Sequence, residues 1–340
     1  MQLLRNWHPQ TLRLLALALA LLVTVLFFST QIDNYLSSRM VNRIITSAAV
    51  ILPIAVGQGL VVMTRNIDLS LGSILGIVAY ITGDFLGSHP ELHPLLTVLF
   101  AMGLGAGLGA INGILVAYGR VPSIIVTLGT LALYRSFLVE YSDARTITTA
   151  SLPQWLVDLP QTSVGFLGVE IRVTVLMALA AAIVVGLALS RLRLARRILA
   201  VGSNPDAAVV AGINAPRVIL AAFMLSGALA GLSGLIFLAK FGNITVVAGL
   251  GFELKAVAAV VVGGVSIMGG SGSIIGIVLG TVLVDTIDNS LTRWDMVSEF
   301  WRDALLGMLI MAAVTVDTVM SRSLARMRAR QEESEGGQHK

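Results

Sequence analysis

Ten stretches of this chain are apolar enough to sit in hydrocarbon, and that pattern decides the class of fold before any motif is read. They cover approximately residues 12–29, 44–63, 69–83, 95–118, 122–139, 173–189, 218–238, 256–264, 273–287 and 305–319. A helix needs roughly 20 apolar residues to cross a bilayer, and only helices or closed barrels satisfy their backbone groups there. The apolar residues come in runs rather than at an amphipathic period, and 56% of the 340 residues are hydrophobic against 12% charged, which excludes an ordinary soluble globule. The expected fold is therefore an all-α polytopic membrane protein of about ten transmembrane helices, some short or broken. The 34 glycines predict close helix packing, and the absence of cysteine excludes disulfides and thiolate metal sites.

The first run follows a basic lead with Arg5 and Arg13, as a secretory signal does. It is long enough to span, no small-x-small cleavage pattern follows it, and more spans come after, so it reads as a true span. An even number of spans puts both termini on one side, and the bias of Lys and Arg makes that side the cytoplasm. Arg39 and Arg43, between the first two spans, run against this bias. The longest external stretch, 140–172, carries Pro153, Trp155, Asp158 and Pro160 and is expected to hold a short interfacial helix. Trp294 and Trp301 flank the last span as membrane anchors. A single transmembrane domain over 1–320 is expected, followed by a cytoplasmic tail, 321–340, whose polar composition predicts disorder.

Residues 191–216 form the one long polar, basic interruption, and they fall on the cytoplasmic side. Inside it, Asn204-Pro205-Asp206 is a helix-start signal: a capping amide, a proline at the first helical position, then an acid favoured by the helix dipole. Gly212 supplies a stop. The helix of about two turns over 205–211 is far too short to span, so it must lie at the surface, where a partner can press on it.

Two segments, 69–83 and 256–264, are too short and too glycine-rich for simple spans. Ser70-Leu-Gly-Ser-Ile-Leu-Gly-Ile-Val78 matches Gly270-Ser-Gly-Ser-Ile-Ile-Gly-Ile-Val278 at six of nine positions, two hundred residues apart. Interrupted hydrophobic segments in corresponding places of two halves point to a transport pathway. Two small-xxx-small packing motifs would give the same pattern.

Catalysis finds no candidate. His89 and His93 have a metal-binding spacing, but Pro90 and Pro94 remove the helix that would align them. No carboxylate pair with a histidine and no Ser/His/Asp set can be assembled within the spans. The Gly-rich run 269–273 lacks the lysine of a phosphate-binding loop, so ATP-driven movement would need a separate ATPase. Asp68 is expected to cap the helix opening at Leu69, with a gate or ion site as the functional alternative. Asn112 reads as a buried amide serving helix packing or a polar substrate, and Glu253 and Lys255 as interfacial. The apparent scarcity of ions inside the bilayer argues against proton or sodium coupling. No nucleic-acid partner is expected.

Four stretches in register carry a resemblance. They are Met63-Thr-Arg-Asn-Ile-Asp-Leu-Ser-Leu-Gly-Ser73, Val126-Thr-Leu-Gly-Thr-Leu131, Val201-Gly-Ser-Asn-Pro-Asp-Ala-Ala208 with Ala211-Gly-Ile213, and Val262-Gly-Gly-Val-Ser-Ile-Met-Gly-Gly-Ser-Gly-Ser273. Over 42–320 the chain resembles the permease subunits of bacterial ABC importers for monosaccharides, the ribose-type group that includes autoinducer-2 permeases. Thr64-Arg65-Asn66 stands where ribose-type members often have Gly-Gly before Ile-Asp-Leu-Ser, a departure shared in character with autoinducer-2 and rhamnose permeases.

The resemblance implies a permease in the bacterial inner membrane that pairs with a second copy or a homologue. It implies two ABC ATPase subunits inside, carrying ATP and Mg, with no cofactor in this chain, and a periplasmic substrate-binding protein outside. Gly202, Asn204, Pro205, Asp206, Ala207, Ala208 and Gly212 match the family's ATPase-coupling region. Asn66, Asp68, Asn112, Thr127, Thr130 and Ser266 are candidates for the translocation pathway. The expected cargo is a monosaccharide or an autoinducer-2-like small polar molecule. Alternatives are a nucleoside or branched-chain amino acid permease, a stand-alone secondary transporter or facilitator, and a non-transporting scaffold.

Overall fold

A computed structural model describes residues 9–166 and 169–294, with scattered positions from 296 to 315. The expected tail and most of the expected last span lie outside the described residues. Eight helices are long and apolar enough to cross a membrane: α1 (Pro9–Gln31), α2 (Ser38–Met63), α3 (Leu71–Ser88), α4 (Pro94–Ala117), α5 (Ser123–Ser142), α7 (Val173–Arg191), α10 (Ala215–Phe241) and α12 (Ile274–Leu291). The shorter helices are α6 (Gln154–Asp158), α8 (Arg193–Ser203), α9 (Pro205–Val210) and α11 (Phe252–Val262). Between α5 and α7 the chain forms the expected short helix, α6. It also forms a hairpin of β1 (Ser163–Phe166) and β2 (Val169–Arg172), with Ser163 opposite Arg172.

Two expectations are corrected. The 69–83 run is not too short to span, because its helix begins at Leu71 and continues past Gly83 to Ser88, for 18 residues. The break lies in the extended stretch before it, 66–70. The 256–264 run belongs to α11, whose 11 residues reach only about 16 Å at 1.5 Å per residue. An irregular stretch from Gly242 to Gly251 completes that crossing, bridging to the outer loop through Ile147 and Ile244.

Glycine lets backbones touch where the helices cross. Gly105, Gly109 and Gly113 on one face of α4 lie against Phe223, Gly227 and the backbone around them on α10. A side chain at Gly105 or Gly109 would collide with carbonyl oxygens of α10, a small-residue crossing of the membrane type. Both copies of the sequence repeat are used the same way: Gly76 faces the carbonyl of Ala248, and Gly276 faces that of Gly263. The packing reading of the repeat is thus satisfied at both sites, and both copies lie where an irregular stretch enters a helix. The most deeply buried helix is α2, while α1 lies at the edge against α12.

The helix ends gather into two groups. Arg13 reaches the carbonyl of Gly264, Arg65 those of Gly202 and Ser203, and Gly270 N–H that of Met63. At the opposite end Tyr35 bonds Ser290, Tyr141 bonds Asp84, and Phe27 and Phe28 pack edge-on against Trp294. The first group also holds Arg120, Arg191, Arg193, Arg196, Arg197 and Arg217, which makes it the cytoplasmic side.

Candidate coupling site

The cytoplasmic end is built around α9. Asn204 leaves helical geometry (φ −152°, ψ 99°), and its side-chain oxygen accepts from Ala207 N–H at 3.0 Å, which satisfies one of the orphan donors of the helix start. Pro205 follows at the first helical position and Asp206 in the first turn. The helix ends at Val210, one residue earlier than expected, with Ala211 as its cap. Gly212 takes φ 75°, a left-handed conformation natural to glycine, and turns the chain toward Asn214, which caps α10 by accepting from Arg217 N–H.

This short helix is held at one point and open elsewhere. Ala208 is buried, whereas Asp206, Ala207 and Val209 are exposed and Val210 is 89% exposed. An apolar side chain projecting from a rigid, capped surface turn is suited to insertion into a partner's groove.

What lies behind α9 links it to the membrane. Gly202, in the last turn of α8, is buried with no room for a side chain, because a Cβ there would collide with Met63 O and Gly270 N. Arg65 donates from Nε to Gly202 O at 2.5 Å and from its terminal nitrogen to Ser203 O at 2.7 Å. Gly270 donates to Met63 O at 3.0 Å. Both irregular segments, 64–70 before α3 and 263–273 before α12, therefore meet at Gly202 and Ser203, directly ahead of α9. Arg65 has φ 64°, in the region where glycine is at ease and other residues pay ~1–2 kcal/mol. Arginine here accepts the strain and gains a two-pronged hold on the carbonyls of Gly202 and Ser203.

The pathway candidates divide. Asp68 is fully buried, and its Oδ1 accepts from Ser70 N–H at 2.9 Å and Ser70 Oγ at 2.7 Å. Asn112 on α4 donates to Ser70 Oγ at 2.8 Å. On α5, Ser123 Oγ accepts from Ile67 N–H and Thr127 donates to Ile67 O, while Thr130 bonds back to Thr127 O. Asp68, Asn112, Thr127 and Thr130 thus belong to one buried polar cluster that fixes the entry to α3. Asn66 bonds Thr64 O and its hydroxyl just outside it. Ser266 lies apart, in the turn Ser266–Gly269 of the second irregular segment.

Asp68 is not the cap of a helix opening at Leu69. The helix starts two residues later, and Asp68 instead closes a turn onto Ser70, the residue that precedes it. Burial holds its carboxyl above the ordinary carboxylate value, opposed by the hydrogen bonds from Ser70 and Asn112. Asp68 Oδ2 and Asn112 Oδ1 have no hydrogen-bond partner among the described residues.

The expected scarcity of ions in the bilayer is also corrected. Asp285 and Asp288 on α12 are buried, and Asp288 pairs with Lys255 at 2.7 Å. Asn289 donates to Asp285. Asp285 already lies within the expected run, and the helix continues to Leu291, four residues past the expected end, which carries Asp288 inside as well. Lys255 is not interfacial, because the irregular Gly242–Gly251 stretch sinks the start of α11 into the protein. Lys255 and Asp288 thus form an internal ion pair, whereas Asp285 is held by the Asn289 amide. The contact of Arg65 with Gly202 and Ser203 was not foreseen, because it depends on a tertiary approach that no local pattern records.

A polytopic helical protein whose buried, glycine-packed spans are tied to an exposed, capped cytoplasmic helix has the build of a transporter's membrane subunit. Residues 40–314 match the family model described as branched-chain amino acid transport system / permease component, and the chain belongs to that family. It is a multi-pass transport subunit of the bacterial cytoplasmic membrane, with a transport role rather than a catalytic one. The autoinducer 2 import system permease protein LsrC of Salmonella paratyphi B is 32% identical over 317 residues, 93% of this chain and 89% of that protein. LsrC of Escherichia coli O9:H4 is 34% identical over 315 residues, 92% of this chain and 90% of its own. LsrC of Enterobacter sp. strain 638 is 34% identical over 295 residues, 86% and 82% respectively. No solved structure matches the chain.

Proposed function

We propose that this chain is the permease of an ATP-driven importer for autoinducer 2 or a closely similar small polar, sugar-like molecule. The observation that carries the proposal is the exposed helix α9, joined through Gly202 and Ser203 to both irregular membrane segments, in a chain whose relatives are named as autoinducer 2 import permeases. ATP and Mg are held by an ABC ATPase, one copy beneath each of two permease chains. When the ATPases close, α9 moves, Gly202 and Ser203 move with it, and the segments 64–70 and 263–273 are displaced together. That rocks α3 and α12 and switches access between the two faces.

A periplasmic binding protein delivers the cargo and supplies most of the affinity, which is why few side chains in the spans are free to grasp a sugar. Arg145 offers outer positive charge for docking it, exposed at the surface beside Asp143. The residues Asn66, Asp68, Asn112, Thr127, Thr130 and Ser266 act in this account by shaping the moving segments.

The family description also names branched-chain amino acids, so the cargo is tested by competition. Proteoliposomes holding this chain with its ATPase and binding protein should take up autoinducer 2 only with ATP inside, and excess leucine should leave uptake unchanged. Ala207→Glu with Gly212→Glu should abolish uptake while the permease stays folded. Leucine-sensitive uptake would assign the amino acid branch, and ATP-independent uptake would make the chain a facilitator.

A further inference from the structure

The two arginines that run against the charge bias, Arg39 and Arg43, come together with two more cations at the outer end of the molecule. They lie four residues apart on α2, so they share one helix face, and like charges at that spacing repel. Arg172, at the end of β2, and Lys240, in the last turn of α10, converge on the same place. Together with Asn42 and Thr46 these four line a cavity of about 300 Å³. Among the described residues, no carboxylate lies within ion-pair distance of any of the four. Arg172 donates to the carbonyl of Pro160, and Lys240 stands over the ring of Phe241. Lys240 also feels the charge of the buried Asp285.

A second cavity of about 340 Å³ adjoins the first, and Asn42, Thr46 and Arg172 line both. Its character is different. Leu36, Val41 and Ile45 of the α1–α2 connection and α2 face Val175 of α7 across it, and the three from the α2 side are exposed. The one acid on its rim, Glu170, is engaged by Ser163 Oγ at 3.2 Å. A concentrated positive lobe joined to an open apolar slot between two spans, at the level where helices leave the bilayer, is complementary to a molecule with an anionic head and a hydrocarbon tail.

We infer that the outer ends of α2, α7 and α10 form a binding site for an anionic phospholipid of the outer leaflet. Its phosphate lies against Arg39, Arg43, Arg172 and Lys240, and an acyl chain lies along Ile45 and Val175. The occupant relieves the repulsion among the four cations, which explains how positive charge is retained on the side where the bias disfavours it. A soluble anion would satisfy the polar lobe and leave the apolar slot unused.

The test is lipid retention by the purified full-length chain, read by native mass spectrometry after delipidation. The probes are phosphatidylglycerol, phosphatidylethanolamine of the same chains, and glycerol 3-phosphate. Phosphatidylglycerol should be retained at least tenfold better than phosphatidylethanolamine, since each cation near an anionic surface is worth roughly fivefold in affinity. Arg39→Gln with Arg43→Gln should remove that preference. Ile45→Trp, which fills the slot and leaves the charges, should weaken phosphatidylglycerol without creating a preference for phosphatidylethanolamine. Circular dichroism and a native-like mass distribution show that each variant is folded. Equal retention of the two lipids, or a preference unchanged in the double variant, overturns the site. Glycerol 3-phosphate displacing phosphatidylglycerol at equal concentration, with Ile45→Trp silent, overturns the lipid and leaves a soluble-anion pocket.

Discussion

The two irregular segments that flank the coupling region reach the same point by different chemistry. The first, 64–70, is fixed by side chains. Asp68 gathers Ser70, Asn112 ties Ser70 to α4, and Ser123 and Thr127 bind the backbone of Ile67 from α5. The second, 263–273, is fixed by backbone: Gly264, Gly269 and Gly270 hold φ of 81°, 78° and 74°, Ser266 bonds Ser271 O, and Gly276 lets the carbonyl of Gly263 approach α12. One segment is therefore sensitive to loss of a polar partner and the other to gain of a side chain. Both converge on Gly202 and Ser203, so a displacement of α9 acts on two structures with different stiffness and different points of failure.

The largest effect is expected where the two segments meet. Gly202→Val would drive a side chain into Met63 O and Gly270 N at once, and overpacking of this kind costs typically ~1–3 kcal/mol, more against unyielding backbone. Uptake should vanish and thermal stability in detergent should fall; a stable, active variant would mean that α8 does not bear on these segments. In the polar segment, Asp68→Leu leaves Ser70 without its acceptor in a buried site, at ~1–3 kcal/mol for each stranded group, whereas Asp68→Asn keeps an acceptor oxygen in place. The leucine variant should unfold at clearly lower temperature and the asparagine variant should not. If both behave alike, the carboxamide-like geometry is irrelevant and the segment is held by packing.

A smaller effect is expected in the backbone segment. Gly270→Ala places a Cβ at φ 74° against Ser203, with a conformational cost of ~1–2 kcal/mol. The same change at Gly129, which faces open space, should be nearly silent in the same melting experiment.

The smallest effect separates the segments by pH. Because burial raises the Asp68 carboxyl, the folded protein holds its proton more tightly than the unfolded chain. That contribution to stability is complete below the unfolded carboxylate value and is lost as pH rises through the folded one. Wild type should therefore lose stability relative to Asp68→Asn as pH rises above the ordinary carboxylate range, while Gly270→Ala should stay at a constant offset from wild type. A wild-type curve parallel to that of Asp68→Asn would show that Asp68 does not titrate in this range.

The spans and the short helix α9 were legible because their signals are local. Runs of apolar residues report burial in lipid directly, and Asn204-Pro205-Asp206 with Gly212 encodes α9 to within one residue. What depends on tertiary placement was not legible. The left-handed turn at Arg65, the depth of Lys255 and the continuation of α12 past Asp288 are set by irregular segments whose path no periodicity records. The outer hairpin was hidden for the same reason: two four-residue strands beside a short helix leave too little alternation to read. Arg39 and Arg43 were visible as exceptions to the charge bias, but only the fold brings Arg172 and Lys240 to them.

The central claim is that α9 reaches the membrane through Arg65, Gly202 and Ser203, and Arg65→Gly tests it most directly. Glycine relieves the strain at φ 64° and deletes both hydrogen bonds to the coupling segment, so the variant should fold at least as well as the native chain. The measurement is substrate imported per ATP hydrolysed in proteoliposomes with the partner ATPase and binding protein. ATP hydrolysis should stay within about twofold of native and uptake should fall by about tenfold, the equivalent of ~1.4 kcal/mol in coupling, if α9 acts through Arg65. Native uptake per ATP in a stable Arg65→Gly protein would contradict it.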